Sequence, residues 1–437
     1  GGYTGSGIEP LQKHIMTTTT TEPTARLHIA PQHDFFTKLL HPSVFARTQE
    51  YIAWRQALAR ARANGVPELP TPRLTPVSIN LDLTTACNYY CGHCVDLKVL
   101  NSGRNFVNDE LFSSLTYLAD NGLRSVILIG GGEPTVHPKF QEVVRFLKNR
   151  GMQVAVVSNG SRTDVVHGVA DCLTGKDWVR FSLDSGTEDT FQKMHRPRKP
   201  ITLGEICAGV SRIRERNPLL SIGFSFVIVW DQKPLMKNAT VEKDAVVNIH
   251  EMVEAAVLAR DSGFSYISFK PFLNRFPDGG EVMNPDAMTD MESTIMAIRT
   301  GLEGARLCET KTFRVLESTN LRVLLNKAWK PFMHQPCVCH MQAFRHVLSP
   351  LGVFNCPAKR GVPKARLGNK DGFADETRIT AVEQSVVAHL DSFDASRECV
   401  EITCLYNLAN WEIEKAIQSG YSGLEAQYAF GEQDLFL

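Results

Sequence analysis

Three cysteines stand close together after the first strand-like segment of the chain. Cys87, Cys91 and Cys94 have the spacing C-x3-C-x2-C. A structural zinc site usually takes four protein ligands, and a redox C-x-x-C pair would leave the third thiol without a role. A 4Fe–4S cluster held by three thiolates uses all three cysteines and keeps one iron open to an exogenous ligand. The spacing therefore favours an iron–sulfur site over zinc or redox chemistry.

Strand and helix patterns that would position this motif alternate about six times. The predicted strands cover residues 77–83, 125–129, 153–157, 178–183, 221–229 and 266–270, with helical stretches between them. Such alternation predicts an α/β fold whose parallel sheet has right-handed crossovers. The pattern alone leaves open a doubly wound sheet and a full or partial barrel.

Unusual residues follow the predicted strands at their carboxyl ends, where parallel α/β folds build their sites. Glycines 130–132 would allow close approach of the backbone to a ligand, although a plain strand-to-helix turn is the alternative. Helix-cap or loop roles are the alternatives for the residues after the fourth strand. The candidate segments after strands two, three, four and six are Gly131-Gly132-Glu133-Pro134, Asn159, Ser182 with Asp184, and Lys270.

These motifs together resemble the radical S-adenosylmethionine (radical SAM) superfamily over roughly residues 77–275. The resemblance implies a partial (β/α)6 barrel, a SAM-binding 4Fe–4S cluster on Cys87, Cys91 and Cys94, and reductive cleavage of SAM to a 5′-deoxyadenosyl radical that removes a hydrogen atom from substrate. It also implies which residues bind SAM. Gly131, Gly132, Glu133 and Pro134 resemble the GGE motif that holds the amino group, and Asn159, Ser182, Asp184 and Arg196 resemble residues around the ribose, methionine and carboxylate portions.

A second group of cysteines lies in the C-terminal third. The segment 344–357 resembles the hairpin of SPASM or twitch domains, although Gly352 and Cys356 are one residue closer than in the family pattern. The resemblance implies one auxiliary 4Fe–4S cluster in a small α+β domain. A zinc site and unconnected buried cysteines are the alternatives. The expected ligands are Cys339 (or Cys337), Cys356, Cys399 and Cys404, while Cys308 and Lys270 are candidate catalytic residues.

The sequence predicts four regions. Residues 1–15 are interpreted as a vector-derived leader and 16–75 as an N-terminal helical extension. Residues 76–300 are predicted to form the barrel, and 301–437 the auxiliary iron–sulfur domain and tail.

Composition limits the possible partners and location. The chain has 47 basic and 47 acidic residues among 437, so its balanced charge argues against a nucleic-acid-binding protein. We expect no membrane span, since long apolar runs are absent from the sequence. Free thiolates and an oxygen-sensitive cluster predict a reducing cytoplasm. The resemblance further implies an external reductant of the flavodoxin or ferredoxin type; the oligomeric state is left open.

The expected substrate is a small polar molecule. Relatives in the resembled family suggest a sugar, aminoglycoside or cyclitol intermediate of natural-product biosynthesis, which would undergo dehydrogenation, dehydration or epimerisation. A peptide-modifying maturase is the alternative enzyme. A non-catalytic iron–sulfur electron carrier is the alternative from another class, and it would leave the GGE motif without a role.

Overall fold

The computed structural model describes residues 34–107, 109–232, 246–275, 281–419 and 434–437. The expected leader, 1–15, lies outside these ranges. The described part of the helical extension expected over residues 16–75 contains two helices, α1 (Phe35–Leu39) and α2 (Pro42–Ala63). They separate at His41, whose ring caps α2, and Pro42 at the first helical position requires no hydrogen-bonded amide.

A twisted parallel sheet forms the centre of the molecule. Its strands pair in chain order, each with the next, from the first to the sixth. They are β1 (Ser78–Leu81), β2 (Ser125–Leu128), β3 (Gln153–Ser158), β4 (Trp178–Ser182), β5 (Ser221–Ile228) and β6 (Tyr266–Pro271). The helices that follow β1 to β5 are α3 (Glu110–Asp120), α4 (Phe140–Asn149), α5 (Thr163–His167), α6 (Glu188–His195), α7 (Leu203–Arg216) and α8 (Met252–Asp261). The predicted α/β class with a parallel sheet is confirmed.

Later parts of the chain extend the sheet at both edges. A two-stranded ribbon, β7 (Asn274–Arg275) and β8 (Glu281–Val282), comes first, and helix α9 (Met291–Arg306) then leads to β9 (Arg314–Glu317), which pairs with β6. At the other edge β10 (Arg345–Ser349) pairs in parallel with β1 and continues into β11 (Gly352–Phe354) and β12 (Arg366–Gly368). The sheet is therefore continuous across the boundary expected near residue 300.

The remaining helices pack around this extension. They are α10 (Thr319–Leu325), α11 (Trp329–Met333), α12 (Glu376–Ser392), α13 (Ala395–Glu398) and α14 (Asn407–Gln418). Tyr51 of α2 packs edge-on against Phe344, and its hydroxyl lies 2.8 Å from Nδ1 of His340. The N-terminal helices are thus fixed to the C-terminal part of the chain.

Residues 434–437 cover the amino ends of the strands. The Ser125 hydroxyl donates to the Leu435 carbonyl oxygen (2.6 Å), and buried Lys38 pairs with Asp434 (2.7 Å). Phe436 packs against Trp178 inside the sheet's curve. These contacts close the barrel at the end opposite to the carboxyl rim.

Within the described residues, we find no helix with both the length and the apolar character needed to cross a bilayer.

Candidate functional site

The cysteine motif lies in a loop that leaves the carboxyl end of β1 and packs directly on the glycine segment after β2. The Glu133 amide donates to the Ala86 carbonyl oxygen (2.8 Å). A Cβ on Gly132 would come within 2.4 Å of the Thr84 carbonyl oxygen, which no real side chain tolerates. Gly132 is therefore required for this contact between two main-chain segments.

Two further segments hold the cysteine loop. The Cys87 amide donates to the side-chain oxygen of Asn101 (3.0 Å), and the Tyr90 amide donates to the His195 carbonyl oxygen (3.0 Å). Arg196 follows His195 in the left-handed conformation (φ 46°) that ends α6. The structure thus places Arg196 beside the loop, with its carbonyl oxygen 3.3 Å from the Tyr90 amide nitrogen.

The three cysteines of the motif lie near one another in a partly buried loop. Burial raises the pKa of the Cys91 thiol well above its usual range, and the charges of Cys94 and Cys87 raise it further. Burial also raises the pKa of Cys87. Uncharged protein groups offset little of the free-energy cost of burying charged thiolates, whereas an iron cluster stabilises the thiolates that coordinate it. The donor set fits a bound 4Fe–4S cluster.

Glu133 links the ends of β2 and β3. Its buried carboxylate accepts from the amide and hydroxyl of Thr135 (3.0 and 2.5 Å), the Ser158 hydroxyl (2.8 Å) and the Asn159 amide (2.7 Å). Burial raises its pKa, although these hydrogen bonds act in the opposite direction. The Asn159 side chain continues to Asn88 of the cysteine loop (2.9 Å). Glu133 and Asn159 thus join three of the predicted segments at one rim.

Asp184 is enclosed by two histidines. Its Oδ2 lies 3.0 Å from His93 Nε2 and 3.5 Å from His195 Nε2, while Oδ1 accepts from the Val227 amide (2.7 Å). Burial raises the pKa of Asp184, but the hydrogen bond and charge of His93 outweigh this and lower it. One potential ligand atom from each of these three side chains lies within 4.8 Å of the other two, so the group has the geometry of a possible metal site. Ser182, one turn of backbone earlier, is half-buried and faces the barrel interior.

His195 also contacts a cysteine of the motif. Its Nε2 lies 2.9 Å from the Leu183 carbonyl oxygen, and its Nδ1 lies 3.2 Å from Cys91 Sγ. Burial lowers the pKa of His195 to about 4, so the ring is neutral at physiological pH. With Nε2–H donated to Leu183, Nδ1 faces Cys91 as an acceptor. Sequence reasoning missed this contact, because nothing in the pattern indicates that α6 returns its last residue to the loop.

The structure brings four cysteines of the C-terminal third together. Each of Cys339, Cys356 and Cys399 is near enough to raise the pKa of the Cys404 thiol, which burial already raises well above its usual range. Burial raises the pKa of Cys339 to about 12, with Cys356 adding to the effect. Asn410 donates toward Cys339 Sγ (3.8 Å). Four such thiols suit a second cluster by the same reasoning as the first.

Other predicted candidates lie elsewhere. Cys337 is exposed, and its sulfur points to the Ser396 hydroxyl (3.9 Å). Cys308 is buried after α9, ahead of β9, and so at the opposite end of the strands from the cysteine loop. Lys270 lies at the end of β6 with its ammonium 3.3 Å from the Ser225 hydroxyl. Of these three residues, only Lys270 reaches the barrel interior.

A buried ion triad connects the two cysteine regions, and the sequence analysis missed it. Arg360, four residues after Cys356, pairs through Nε with Asp82 (2.7 Å) at the end of β1 and through Nη1 with Asp96 (2.9 Å) just after Cys94. All three side chains are at most 7% exposed. The sequence held one signal for this triad, which was Asp82 within the predicted apolar strand over residues 77–83. A buried charge requires a partner.

Comparisons with known proteins agree with this arrangement. Residues 81–228 match the family model described as the radical SAM superfamily. A nucleotide dehydratase from a Thermoplasmatales archaeon, named as S-adenosylmethionine-dependent, is 31% identical over 109 residues, which are 25% of this chain and 38% of that relative. A protein of the same name from Psychrobacter lutiphocae is 25% identical over 239 residues, covering 50% of this chain and 78% of the relative.

The mycofactocin maturase MftC of Mycobacterium tuberculosis is 31% identical over 134 residues, covering 28% of this chain and 33% of the relative. This chain thus spans well under half the length of several curated relatives that it matches. Among solved structures, SuiB of Streptococcus suis bound to S-adenosylmethionine aligns with a TM-score of 0.52 at 12% identity, covering 77% of this chain and 71% of SuiB. That likeness shows a shared fold.

Proposed function

We propose that this chain, which belongs to the radical SAM superfamily through residues 81–228, is an enzyme that removes a hydrogen atom from a small polar substrate. The observation that carries the proposal is the contact between the cysteine loop and the glycine segment, where Gly132 and Glu133 meet Thr84 and Ala86. A cluster bound by the loop and a ligand bound by the glycine segment would necessarily be neighbours.

In this proposal Cys87, Cys91 and Cys94 hold the SAM-binding cluster, and the main chain of Gly131 and Gly132 lies beside it. When bound, the cluster and SAM supply a 5′-deoxyadenosyl radical through reductive cleavage of the sulfonium. The protein's own contribution is to orient these groups and to exclude water. Residues 434–437, which close the far end of the barrel, support that second role. The electron would come from a flavodoxin- or ferredoxin-type partner.

A small substrate is favoured over a peptide. The described residues before β1 form two helices fixed to the C-terminal part of the chain through Tyr51 and His340, so they serve a structural purpose there. The curated relatives are named as nucleotide dehydratases and as a maturase, so their names support radical chemistry without naming one substrate. A sugar-containing substrate, with dehydrogenation, dehydration or epimerisation as the outcome, remains the proposal.

The direct test is production of 5′-deoxyadenosine from SAM by the anaerobically reconstituted protein with dithionite. We expect formation that depends on both SAM and reductant. Retention of iron and SAM without any 5′-deoxyadenosine would instead favour a non-catalytic iron–sulfur protein.

Replacing Glu133 by Ala is expected to abolish SAM binding, and with it SAM cleavage, and to lower the free energy of unfolding by about 1–3 kcal/mol, because buried donors lose their acceptor. Binding of SAM by equilibrium dialysis and urea denaturation measure the two effects. Glu142→Ala, on the exposed face of α4, serves as the matched control and should change neither. Undiminished SAM binding in Glu133→Ala would contradict the assignment.

The auxiliary cluster is tested by its iron. We expect the double replacement of Cys399 and Cys404 by Ala to reduce iron from about eight to about four per chain, because a cubane cannot be held by two remaining thiolates. Cys337→Ala is the matched control and should retain the full iron content, since its sulfur lies apart from the other four. If Cys337→Ala lost as much iron as the double variant, Cys337 would replace Cys339 as the expected ligand.

A further inference from the structure

Interior-facing side chains near the carboxyl rim of the barrel are only partly buried, which indicates an open region between them. Side chains that face the interior from successive strands keep part of their surface accessible, whereas their neighbours that face the helices, such as Val179 and Phe181, are fully buried. This alternation follows the two-residue period of a strand. We call the space the barrel cavity; its partly accessible lining residues are Ile129, Val157, Arg180, Ser182, Val227 and Lys270.

Register places the polar lining residues in successive layers along the strands. Arg180 of β4 aligns with Gly223 of β5, and Gly223 aligns with Tyr266 of β6. A Cβ on Gly223 would collide with the Tyr266 ring at 2.1 Å, so the glycine makes room for the ring on the interior face. Lys270, two layers further along β6, reaches back to Ser225 (3.3 Å). Arg180, Tyr266 and Lys270 therefore face the same space.

Neither cation of the barrel cavity has a carboxylate partner in the part of the chain that the structure describes. Among the described residues, Tyr266 is the one group whose charge would favour the ionised form of Arg180, and no acceptor is in place for Arg180 Nε or the Tyr266 hydroxyl. Lys270 contacts a hydroxyl alone, and burial lowers its pKa far below the usual range, with Arg180 lowering it further. The nearest acid, Asp184, is already occupied by His93 and the Val227 amide.

This arrangement is costly unless something else supplies negative charge. The Arg180 guanidinium lies over the Trp178 ring (5.0 Å), but its Nε has no acceptor among the described residues, and repulsion from Lys270 adds to the cost of holding it there. An arginine fork and a lysine ammonium are the groups with which proteins bind phosphate and carboxylate oxygens. The Tyr266 hydroxyl adds a neutral donor to the same space.

We infer that the barrel cavity binds an oxyanion of the substrate, a phosphate or carboxylate, between Arg180 and Lys270. The inference rests on the proposed function, because it places the substrate inside the barrel beneath the SAM site. It narrows the substrate class to a phosphorylated or carboxylated sugar derivative, such as a nucleotide, and disfavours a polycationic aminoglycoside.

The test compares matched probes on the anaerobic SAM-loaded holoenzyme by calorimetry. Ribose 5-phosphate, ribose and gluconate are the probes. We expect ribose 5-phosphate or gluconate to bind and ribose to bind at least about tenfold more weakly, with Arg180→Met and Lys270→Met each losing about ten- to a hundredfold in affinity for the anion. Preference between the two anions distinguishes phosphate from carboxylate. Arg397→Met, at an exposed position, is the control.

Stability provides a second readout. If the cations exist to bind a ligand, Arg180→Met and Lys270→Met should unfold at the same or a higher temperature than the wild type without ligand, and the anion should stabilise the wild type alone. Equal binding of ribose and ribose 5-phosphate, or unchanged anion affinity in both variants, would overturn the inference. Arg397→Met should cleave SAM with dithionite as the wild type does, and absence of cleavage in the wild type would reject the proposed function separately.

Discussion

The triple replacement of Cys87, Cys91 and Cys94 by Ala is expected to abolish 5′-deoxyadenosine formation completely and to lower iron from about eight to about four per chain. The effect is total because no other described thiol lies at the rim of β1 to substitute for the lost ligands. Anaerobic iron and sulfide analysis, together with the electron paramagnetic resonance of the reduced protein, measures the loss. The remaining signal should belong to the cluster on Cys339, Cys356, Cys399 and Cys404.

A matched control removes three cysteines that lie away from both groups. Cys172, Cys207 and Cys308 pack among hydrophobic side chains, and their joint replacement by Ala should leave iron and SAM cleavage intact. Iron content that stays at the wild-type level in the Cys87, Cys91 and Cys94 variant would refute the assignment of the SAM-binding cluster.

Replacing Arg360 by Met is expected to lower the free energy of unfolding by about 3–5 kcal/mol, because it leaves Asp82 and Asp96 as buried carboxylates without their shared cation. Urea denaturation of the anaerobic protein measures the change. The triad connects the loop after Cys94 with the segment after Cys356, so we expect the variant to lose iron faster from both sites on exposure to a chelator.

The loss of unfolding free energy in Arg360→Met should depend on pH in a definite direction. Burial raises the pKa of Asp82 to about 6, even though Arg360 acts to lower it, so the folded protein takes up this proton more readily than the unfolded chain. Without Arg360 the pKa rises further. Stability of the variant relative to the wild type should therefore fall as pH increases from 6 to 8 and recover in part toward lower pH, where neutral Asp82 needs no partner.

Arg378→Met is the appropriate comparison for Arg360→Met. Arg378 pairs with Asp371 (3.4 Å) and Asp375 (3.3 Å), but its side chain is 46% exposed, and a surface pair of this kind contributes at most about 1 kcal/mol. Equal losses of unfolding free energy in Arg360→Met and Arg378→Met would mean that the buried triad stabilises the fold no more than a surface ion pair does.

The anion inference changes how the barrel interior is understood. Arg180 interrupts an otherwise apolar strand, and Lys270 was singled out from the sequence as a catalytic candidate because it ends β6. Placed together in the barrel cavity, the two residues have a binding role that neither position indicated alone.

The amino-acid sequence by itself determined the chemistry and the order of elements. The spacing of Cys87, Cys91 and Cys94, the glycine segment before Glu133 and six strand patterns are local features, and local features are readable because strand period and turn composition are set by neighbouring residues. They predicted the parallel sheet, which was confirmed, and the resemblance to the radical SAM superfamily, whose family model matches residues 81–228. They also predicted which side of the sheet would gather the polar segments.

Tertiary structure alone decided the contacts between distant parts of the chain. Arg360 meets Asp82 across 278 positions of sequence, His195 returns to Cys91, and β10 joins the sheet beside β1. Such pairings depend on how whole elements pack. A buried charge in the sequence indicates that a partner must exist, but it does not indicate where along the chain that partner lies. For the same reason the choice of Cys339 over Cys337 required the folded structure: two residues apart in sequence, one thiol is buried among three others and the other faces solvent.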